Sequence, residues 1–191
     1  RSYYEVPWNN AAAKTQGFAP RGMDVDGKGV VWTVLSSGHL ASFDRSKCTG
    51  PLSGPKAATG QHCPEGWTLY PLPGPNYKGA ADSGSADSAY YDFVDRFDML
   101  GVGKEVPLAT GNLSEGLLAL VDGKFLTLRV PYPMGFFAKG MDGRIDNPNT
   151  GWKGKGIYTT IATRAPFHME GGKGNTSKLL KFQMRPDPLS K

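Results

Sequence analysis

The chain has 191 residues and a formal net charge of +5. This length, with 39% hydrophobic residues, suffices for a folded core and argues against disorder. Its 26 Gly and 15 Pro exclude a helical bundle, and they follow no collagen-like period. No apolar run approaches the roughly 18 residues of a membrane-spanning helix, and no nucleic-acid-binding module is recognisable. The chain starts without Met or a signal-peptide pattern, so we expect a mature product or a piece of a longer protein.

The first unit, residues 1–75, is typical of short strands separated by turns. Apolar stretches at 30–35 and 40–44 are joined by Ser-Ser-Gly, which predicts a hairpin because Gly tolerates a positive φ. A further strand is predicted in TLYPLPGP (68–75), where proline marks the end of the strand because it cannot donate to a ladder.

Two cysteines, Cys48 and Cys63, enclose a Gly- and Pro-rich segment of this unit. A disulfide between them would close a loop that has little ability to order itself, and such a bond persists in an oxidising compartment. We therefore predict a disulfide loop over 48–63 and a periplasmic or secreted location. His62 leaves open a metal site with three soft ligands, although no fourth ligand lies at a zinc-type spacing.

The middle unit, residues 76–134, is predicted to combine a hairpin with a helical insertion. Asp122-Gly123 is a strong hairpin signal between the apolar stretches 117–121 and 124–130. In 89–100 the apolar residues fall at helical spacing and Gly101 supplies a stop, so a short helix is predicted there.

The last unit, residues 135–191, contains most of the excess positive charge. Residues 151–191 carry eight Lys and Arg against two acidic residues. This balance fits either a solvated face or a surface that meets an anion or an acidic partner. The segment 163–175 interrupts a predicted hairpin and reads as a loop.

The units repeat one another. Equivalent strand positions at 4, 70, 128 and 182 give spacings of 66, 58 and 54 residues. Short strands in Gly-rich units of this size indicate all-β propeller blades. About three blades are too few for a closed propeller, so we expect part of a larger ring that does not close on itself. The recurring segments are 17–24 and 135–142 (GFAPRGMD and GFFAKGMD), 27–34 and 154–161 (GKGVVWTV and GKGIYTTI), and 39–45 and 178–185 (HLASFDR and KLLKFQMR).

With these segments the chain resembles the C-terminal portion of propellers of the virginiamycin B (streptogramin) lyase-like family. PRGMDVDGKGVVWTV, HLASFDR and LYPLPGP follow the order of that family's repeat, and AKGMD, GIYTT, KLLKFQ and RPDPL follow it more loosely. The resemblance covers roughly 3–75 and 134–189 and leaves the middle insertion without a counterpart. It implies a propeller fold and bears only weakly on activity, because propellers carry many unrelated functions.

The resemblance also implies where catalytic groups would lie. The lyases carry a Glu-Pro-His-Gly run at the start of one blade's inner strand and work with bound magnesium. The matching positions here read Ala19-Pro20-Arg21-Gly22 in the first unit and Ala138-Lys139-Gly140 in the last. Both lack the carboxylate, and a cation replaces the His, so the proton-abstracting base is missing from both.

Arg21 and Lys139 are nevertheless candidate ligand-binding residues. They occupy equivalent points of two repeats, and inner strands of a propeller line its channel, so two cations at one mouth would suit an anionic ligand or a carboxylate partner. The alternative is that each pairs with a neighbouring acid, Asp24 or Asp142.

The remaining candidates lie in loops. His168 and Glu170 are two residues apart and would point the same way in an extended segment, where they could share a metal or a proton. Arg164 could hold a carboxylate nearby. Trp152 and Trp8 lie in Gly- and Asn-rich loops and could stack on a ligand or pack over a blade edge.

These observations favour a non-catalytic, secreted or periplasmic binding or scaffold module. Its expected partners are the remaining blades or another protein, and a small anionic ligand is a further expectation. The alternative is a magnesium-dependent lyase or hydrolase of the same family that uses His168 and Glu170. The sequence identifies no cofactor, and magnesium enters only under that alternative.

Overall fold

A computed structural model describes residues 2–76, 84–131, 134–147, 149, 151, 154–161 and 178–184. Within these residues the chain is almost entirely β-structure, with three single-turn 3-10 helices at Arg45–Lys47, Pro55–Ala57 and Pro64–Gly66. The described strands are, in chain order, β1 (Pro20–Val25), β2 (Val31–Leu35), β3 (His39–Phe43), β4 (Trp67–Pro71), β5 (Asp92–Asp95), β6 (Val106–Gly111), β7 (Gly116–Val121), β8 (Lys124–Arg129), β9 (Met141–Arg144), β10 (Gly156–Ile161) and β11 (Lys178–Phe182).

The strands form three antiparallel sheets in which neighbours in sequence are neighbours in space. The orders are β1-β2-β3-β4, β5-β6-β7-β8 and β9-β10-β11. This confirms the predicted all-β chain of about three repeated units. No helix in the described part of the chain is long and apolar enough to cross a membrane.

Both predicted hairpins are present. In the first, β2 pairs with β3 so that Val31 lies opposite Phe43. In the second, β7 pairs with β8 across the Asp122-Gly123 turn. Strand β7 is buried on both faces, because the consecutive residues Leu117 and Leu118 point to opposite sides of the sheet and are each fully buried.

The helix predicted over 89–100 is wrong, because this segment contains strand β5. Residues of β5 pair with β6, with Phe93 opposite Leu108. The fully buried Asp95 then accepts hydrogen bonds from the Met99 and Leu100 N–H groups at 2.8 and 2.7 Å, in place of the backbone acceptors of a helix. The helical spacing of the apolar residues instead reflects a strand followed by a tight turn, both packed on neighbouring sheets.

Three apolar clusters are present in the described residues, and the two larger ones join neighbouring sheets face to face. The middle sheet contributes to both, which explains why GLLALV in β7 has no polar face. The buried residues of the core shared by the first two sheets are Val34, Leu40, Leu72, Ala89, Ala109, Leu118 and Leu120. Those of the core shared by the second and third sheets are Met99, Leu100, Val106, Leu108, Leu117, Ala119 and Ile157.

The disulfide loop and the N-terminal segment cover part of the first sheet. The Cys48–Cys63 disulfide is formed, as predicted. Tyr4 lies between the loop and the sheet, with ring-centre distances of 4.7 Å to Phe43 and 5.0 Å to His62. The metal alternative for His62 is wrong, because the disulfide occupies both thiolates.

The first strands of the three sheets are neighbours. Strand β5 contacts β1 on one side and β9 on the other. This is the inner-strand arrangement that the repeat pattern predicts. The beginnings of these strands meet at one end of the molecule and their ends meet at the opposite end.

Candidate functional site

Two basic side chains lie over one aromatic ring where the first strands begin. The guanidinium carbon of Arg21 is 4.6 Å from the centre of the Tyr90 ring, and Lys139 Nζ is 5.3 Å from the same centre. Lys139 Nζ also lies 5.8 Å from the centre of the Phe137 ring. We call Arg21, Tyr90, Phe137 and Lys139 the cationic end. The structure thus brings together the two cations that the repeat equivalence singles out.

Hydrogen bonds from strand β6 and the residue after it hold the cationic end in place. The Tyr90 N–H donates to Thr110 Oγ1 at 3.0 Å. Asn112, which is fully buried, accepts from the Ala138 N–H at 2.8 Å and donates to the Ala138 carbonyl at 3.3 Å. The backbone of Ala138 is therefore fixed to the middle sheet, which also fixes the position of the Lys139 backbone next to it.

Neither cation has a carboxylate partner within the described residues. Asp24 instead bonds Arg96, with 2.7 Å between Asp24 Oδ1 and Arg96 Nη2. Asp142 accepts a hydrogen bond from the Gly143 N–H. The pairing of Arg21 or Lys139 with these neighbouring acids is therefore not what the structure contains.

A buried acid, Asp92, lies next to this end and was not singled out from the sequence. The residue is 8% exposed, and within the described part of the chain neither carboxylate oxygen has a partner with hydrogen-bond geometry. It faces β1 at Gly22, where a Cβ would come within 3.0 Å of Asp92 Oδ1. Burial raises the pKa of Asp92 to about 8, and the negative charge of Asp24 contributes in the same direction.

The cationic end presents the side chains of Arg21 and Lys139 to solvent. The nearby Asp92 carboxyl, with a pKa near 8, is mostly neutral at pH 7. Both cations are exposed, whereas Tyr90 is half-buried. Charged donors over an aromatic face can bind a carboxylate or phosphate while the ring fixes their position.

Asp92 escaped sequence analysis because its context gives no signal. It lies in the segment whose apolar spacing suggested a helix, and a single Asp in such a stretch resembles a solvated position. Only the pairing of β5 with β6, together with the approach of β1, buries it. The one sequence feature that could have indicated its burial is its position in the first strand of the middle unit. The predicted helix left that strand unrecognised.

The other candidates divide by location. Trp152, Arg164, His168 and Glu170 lie outside the described residues. Trp8 is 51% exposed and meets Phe18 edge-on, with a ring-centre distance of 5.0 Å. Within the described part of the chain, no three His, Cys, Asp or Glu side chains are close enough together to hold a metal ion.

The three meander sheets with their first strands side by side define this chain as a set of β-propeller blades. A structure comparison agrees with that class. The chain is similar to virginiamycin B lyase from Staphylococcus aureus in its selenomethionine form, with a TM-score of 0.51 and 16% sequence identity. The alignment covers 92% of this chain and 44% of the lyase, so the chain spans less than half of that enzyme's length.

A second structure of the lyase, a catalytically inactive variant with quinupristin, aligns with a TM-score of 0.43 and 13% identity, over 89% of this chain and 42% of the lyase. No protein-family profile and no curated protein matches the sequence. At this level of identity the comparison confirms the propeller fold predicted from the repeats and carries no information on activity.

Proposed function

We propose that this chain is a non-catalytic binding module of a β-propeller and that its cationic end binds the anionic group of a small ligand. One observation carries the proposal: Arg21 and Lys139 lie 4.6 and 5.3 Å from the centre of the same Tyr90 ring. Two cations that share one ring repel each other unless an anion lies between them. The chemical class of the ligand is a carboxylate or phosphate.

The experiment is a titration of the protein with inorganic phosphate and with succinate, followed by amide chemical shifts. We expect saturable shifts around Tyr90 and Lys139. Replacing Arg21 or Lys139 by Gln removes one charged donor and should weaken binding about ten- to a hundredfold, since hydrogen bonds to charged groups contribute roughly 1.5–3 kcal/mol. Higher salt should weaken binding in the unaltered protein.

Lys28→Gln and Lys124→Gln are matched controls, because both residues are exposed in turns or at strand ends remote from Tyr90. They should leave the affinity unchanged while altering net charge by the same amount. The proposal fails if the Arg21→Gln, Lys139→Gln double variant binds either anion as tightly as the unaltered protein.

A second candidate function is a magnesium-dependent lyase or hydrolase. The fold likeness to virginiamycin B lyase is the observation that favours it. Its expected residues, His168 and Glu170, lie outside the described part of the chain. If His168→Ala abolished a metal-dependent activity and left the fold intact, the binding-module proposal would be wrong.

We further propose that the protein works in the periplasm or outside the cell, beside further blades or a partner protein. The Cys48–Cys63 disulfide supports an oxidising compartment. Thiol labelling of protein taken directly from its native source tests the compartment, since labelled cysteines would contradict it. Co-purification from that source tests the partner.

A further inference from the structure

A second site lies at the opposite end of the first strands. A cleft of about 310 Å³ opens where β1, β5 and β9 end, so all three sheets contribute to it. We call it the acidic cleft. Its lining residues are Asp24, Phe93, Val94, Arg96, Phe97, Met99, Asp142, Gly143 and Ile145.

Apolar side chains form most of the wall of the acidic cleft. Phe93 and Met99 belong to the core shared by the second and third sheets. Phe97 and Ile145 are 61% and 53% exposed, although each is a large apolar residue. Exposed apolar side chains next to a cleft are typical of a ligand site. The shape of the cleft and its apolar wall therefore suit a small ligand that contains an apolar ring or chain.

The polar groups of the cleft are unequally satisfied. Asp24 accepts from Arg96 Nη2 at 2.7 Å and from the Val94 N–H at 2.8 Å, so its charge is balanced inside the structure. Asp142 has no ion-pair partner within the described residues, and its recorded hydrogen bond comes from the adjacent Gly143 N–H. The lining thus contains two carboxylates and one guanidinium, and the uncompensated negative charge belongs to Asp142.

Arg96 contributes a second unsatisfied group. Its Nε is fully buried and has no hydrogen-bond partner among the described residues, although Nη2 bonds Asp24. Because this N–H is closed off from solvent, a ligand in the cleft does not contact it. The cleft therefore offers one carboxylate that lacks a cation, beside apolar walls.

We propose that the acidic cleft binds a small organic ammonium ion with an apolar body. The ammonium group lies against Asp142, and the apolar body packs on Phe97 and Ile145. An aromatic face next to a carboxylate favours an ammonium ion through charge–quadrupole attraction as well as ion pairing. This site is separate from the cationic end and does not depend on the function proposed there.

Titration of the whole chain with phenethylammonium chloride tests the proposal, with amide chemical shifts as the readout. We expect saturable shifts at Phe97, Gly143 and Ile145. Sodium phenylacetate, which has the ring with the opposite charge, should cause no saturable shift in these residues.

Asp142→Asn should weaken phenethylammonium binding at least tenfold, and Phe97→Ala should weaken it several-fold. Both side chains are exposed, so the variants should unfold at the same temperature as the unaltered protein. Asp122→Asn, an exposed turn residue, is the matched control and should bind normally. The proposal is overturned if the unaltered protein shows no saturable shift, if phenylacetate binds equally well, or if Asp142→Asn binds as tightly as the control.

Discussion

The two ends of the first strands have opposite electrostatic character. At the cationic end, Arg21 and Lys139 lie over an aromatic ring and have no acidic partner within the described residues. At the acidic cleft, Arg96 is bonded to Asp24, and Asp142 leaves a negative charge uncompensated. The same three strands therefore present a positive site at their beginning and a negative site at their end.

This difference shows how a repeat can place unlike chemistry on one scaffold. GFAPRGMD and GFFAKGMD each carry a cation three residues before an Asp, so two copies supply both ends. The middle sheet differs, because it contributes Tyr90 at one end and Arg96 at the other. These two residues do not follow the repeat. The aromatic ring of Tyr90 contacts both cations, and the guanidinium of Arg96 neutralises one of the two acids.

The largest expected effect concerns Asp92, which lies between the two ends. Its pKa of about 8 in the folded protein exceeds its ordinary value of 3.8, so the folded state keeps a proton that the unfolded chain loses between about pH 4 and pH 8. The stability contributed by this group is complete below about pH 4 and is lost as pH rises towards 8, by up to about 1.4 kcal/mol per pH unit.

Asp92→Asn removes this dependence and should be more stable than the unaltered protein above pH 8. Urea unfolding at several pH values measures the free energy. Asp122→Asn, which is exposed, should keep the slope of the unaltered protein. An equal slope in Asp92→Asn would show that the buried carboxyl does not titrate in this range.

The next effect concerns the packing below the acidic cleft. A Cβ on Gly143 would lie 2.1 Å from Met99 Cε and 3.1 Å from Phe93 Cε1. Gly143→Val should therefore lower the free energy of unfolding by about 1–3 kcal/mol through overpacking, with the lower value if the end of the Met99 side chain can shift. Gly140→Val is the control, because no atom of the described residues lies within 4 Å of a Cβ there. Equal stability of the two variants in urea would contradict the close approach of the sheets.

A smaller effect follows from the partly buried ion pair between the first two sheets. Asp24 Oδ1 accepts from Arg96 while Oδ2 accepts from the Val94 N–H. Asp24→Asn replaces one acceptor with an NH₂ group and leaves a donor unsatisfied, which should cost about 2 kcal/mol of unfolding free energy. It also removes the charge that helps to raise the pKa of Asp92, so the midpoint of that titration should shift to lower pH. An unchanged midpoint would disprove this coupling.

The smallest effect concerns the shared ring. Tyr90→Leu keeps the apolar contact but removes the aromatic face beneath Arg21 and Lys139, and cation–π contacts contribute about 0.5–1 kcal/mol at exposed sites. Phosphate affinity should fall three- to fivefold, whereas Tyr90→Phe should retain it. If the Leu and Phe variants bind phosphate equally, the ring does not position the cations.

Much of the fold could be predicted because its signals are local. The Ser-Ser-Gly and Asp122-Gly123 turns predict their hairpins. The recurrence of GFAPRGMD identifies β1 and β9 as equivalent strands of two units. The segment around Phe93 was misassigned because strand β5 is short. Its apolar residues serve two neighbouring sheets and a turn, and together these requirements imitate a helical spacing.

The candidate site was predictable only where the repeat itself supplies equivalent positions. Arg21 and Lys139 could be matched by their place in the two copies, whereas Tyr90 and Arg96 lie in the copy that departs from the pattern. The acidic cleft depends on residues from three sheets, and no spacing along the chain connects Asp24 with Phe97 or Ile145.

The sequence by itself determined the β-strand repeats, the turns and the disulfide, because these depend on contacts within about twenty residues or on equivalence between copies. The tertiary structure alone decided which charges remain unpaired. Asp24 was a possible partner for Arg21 until the packing of β1 on β5 brought Arg96 to it. The burial of Asp92 follows from the same contact, since desolvation depends on every neighbouring segment rather than on the residue itself.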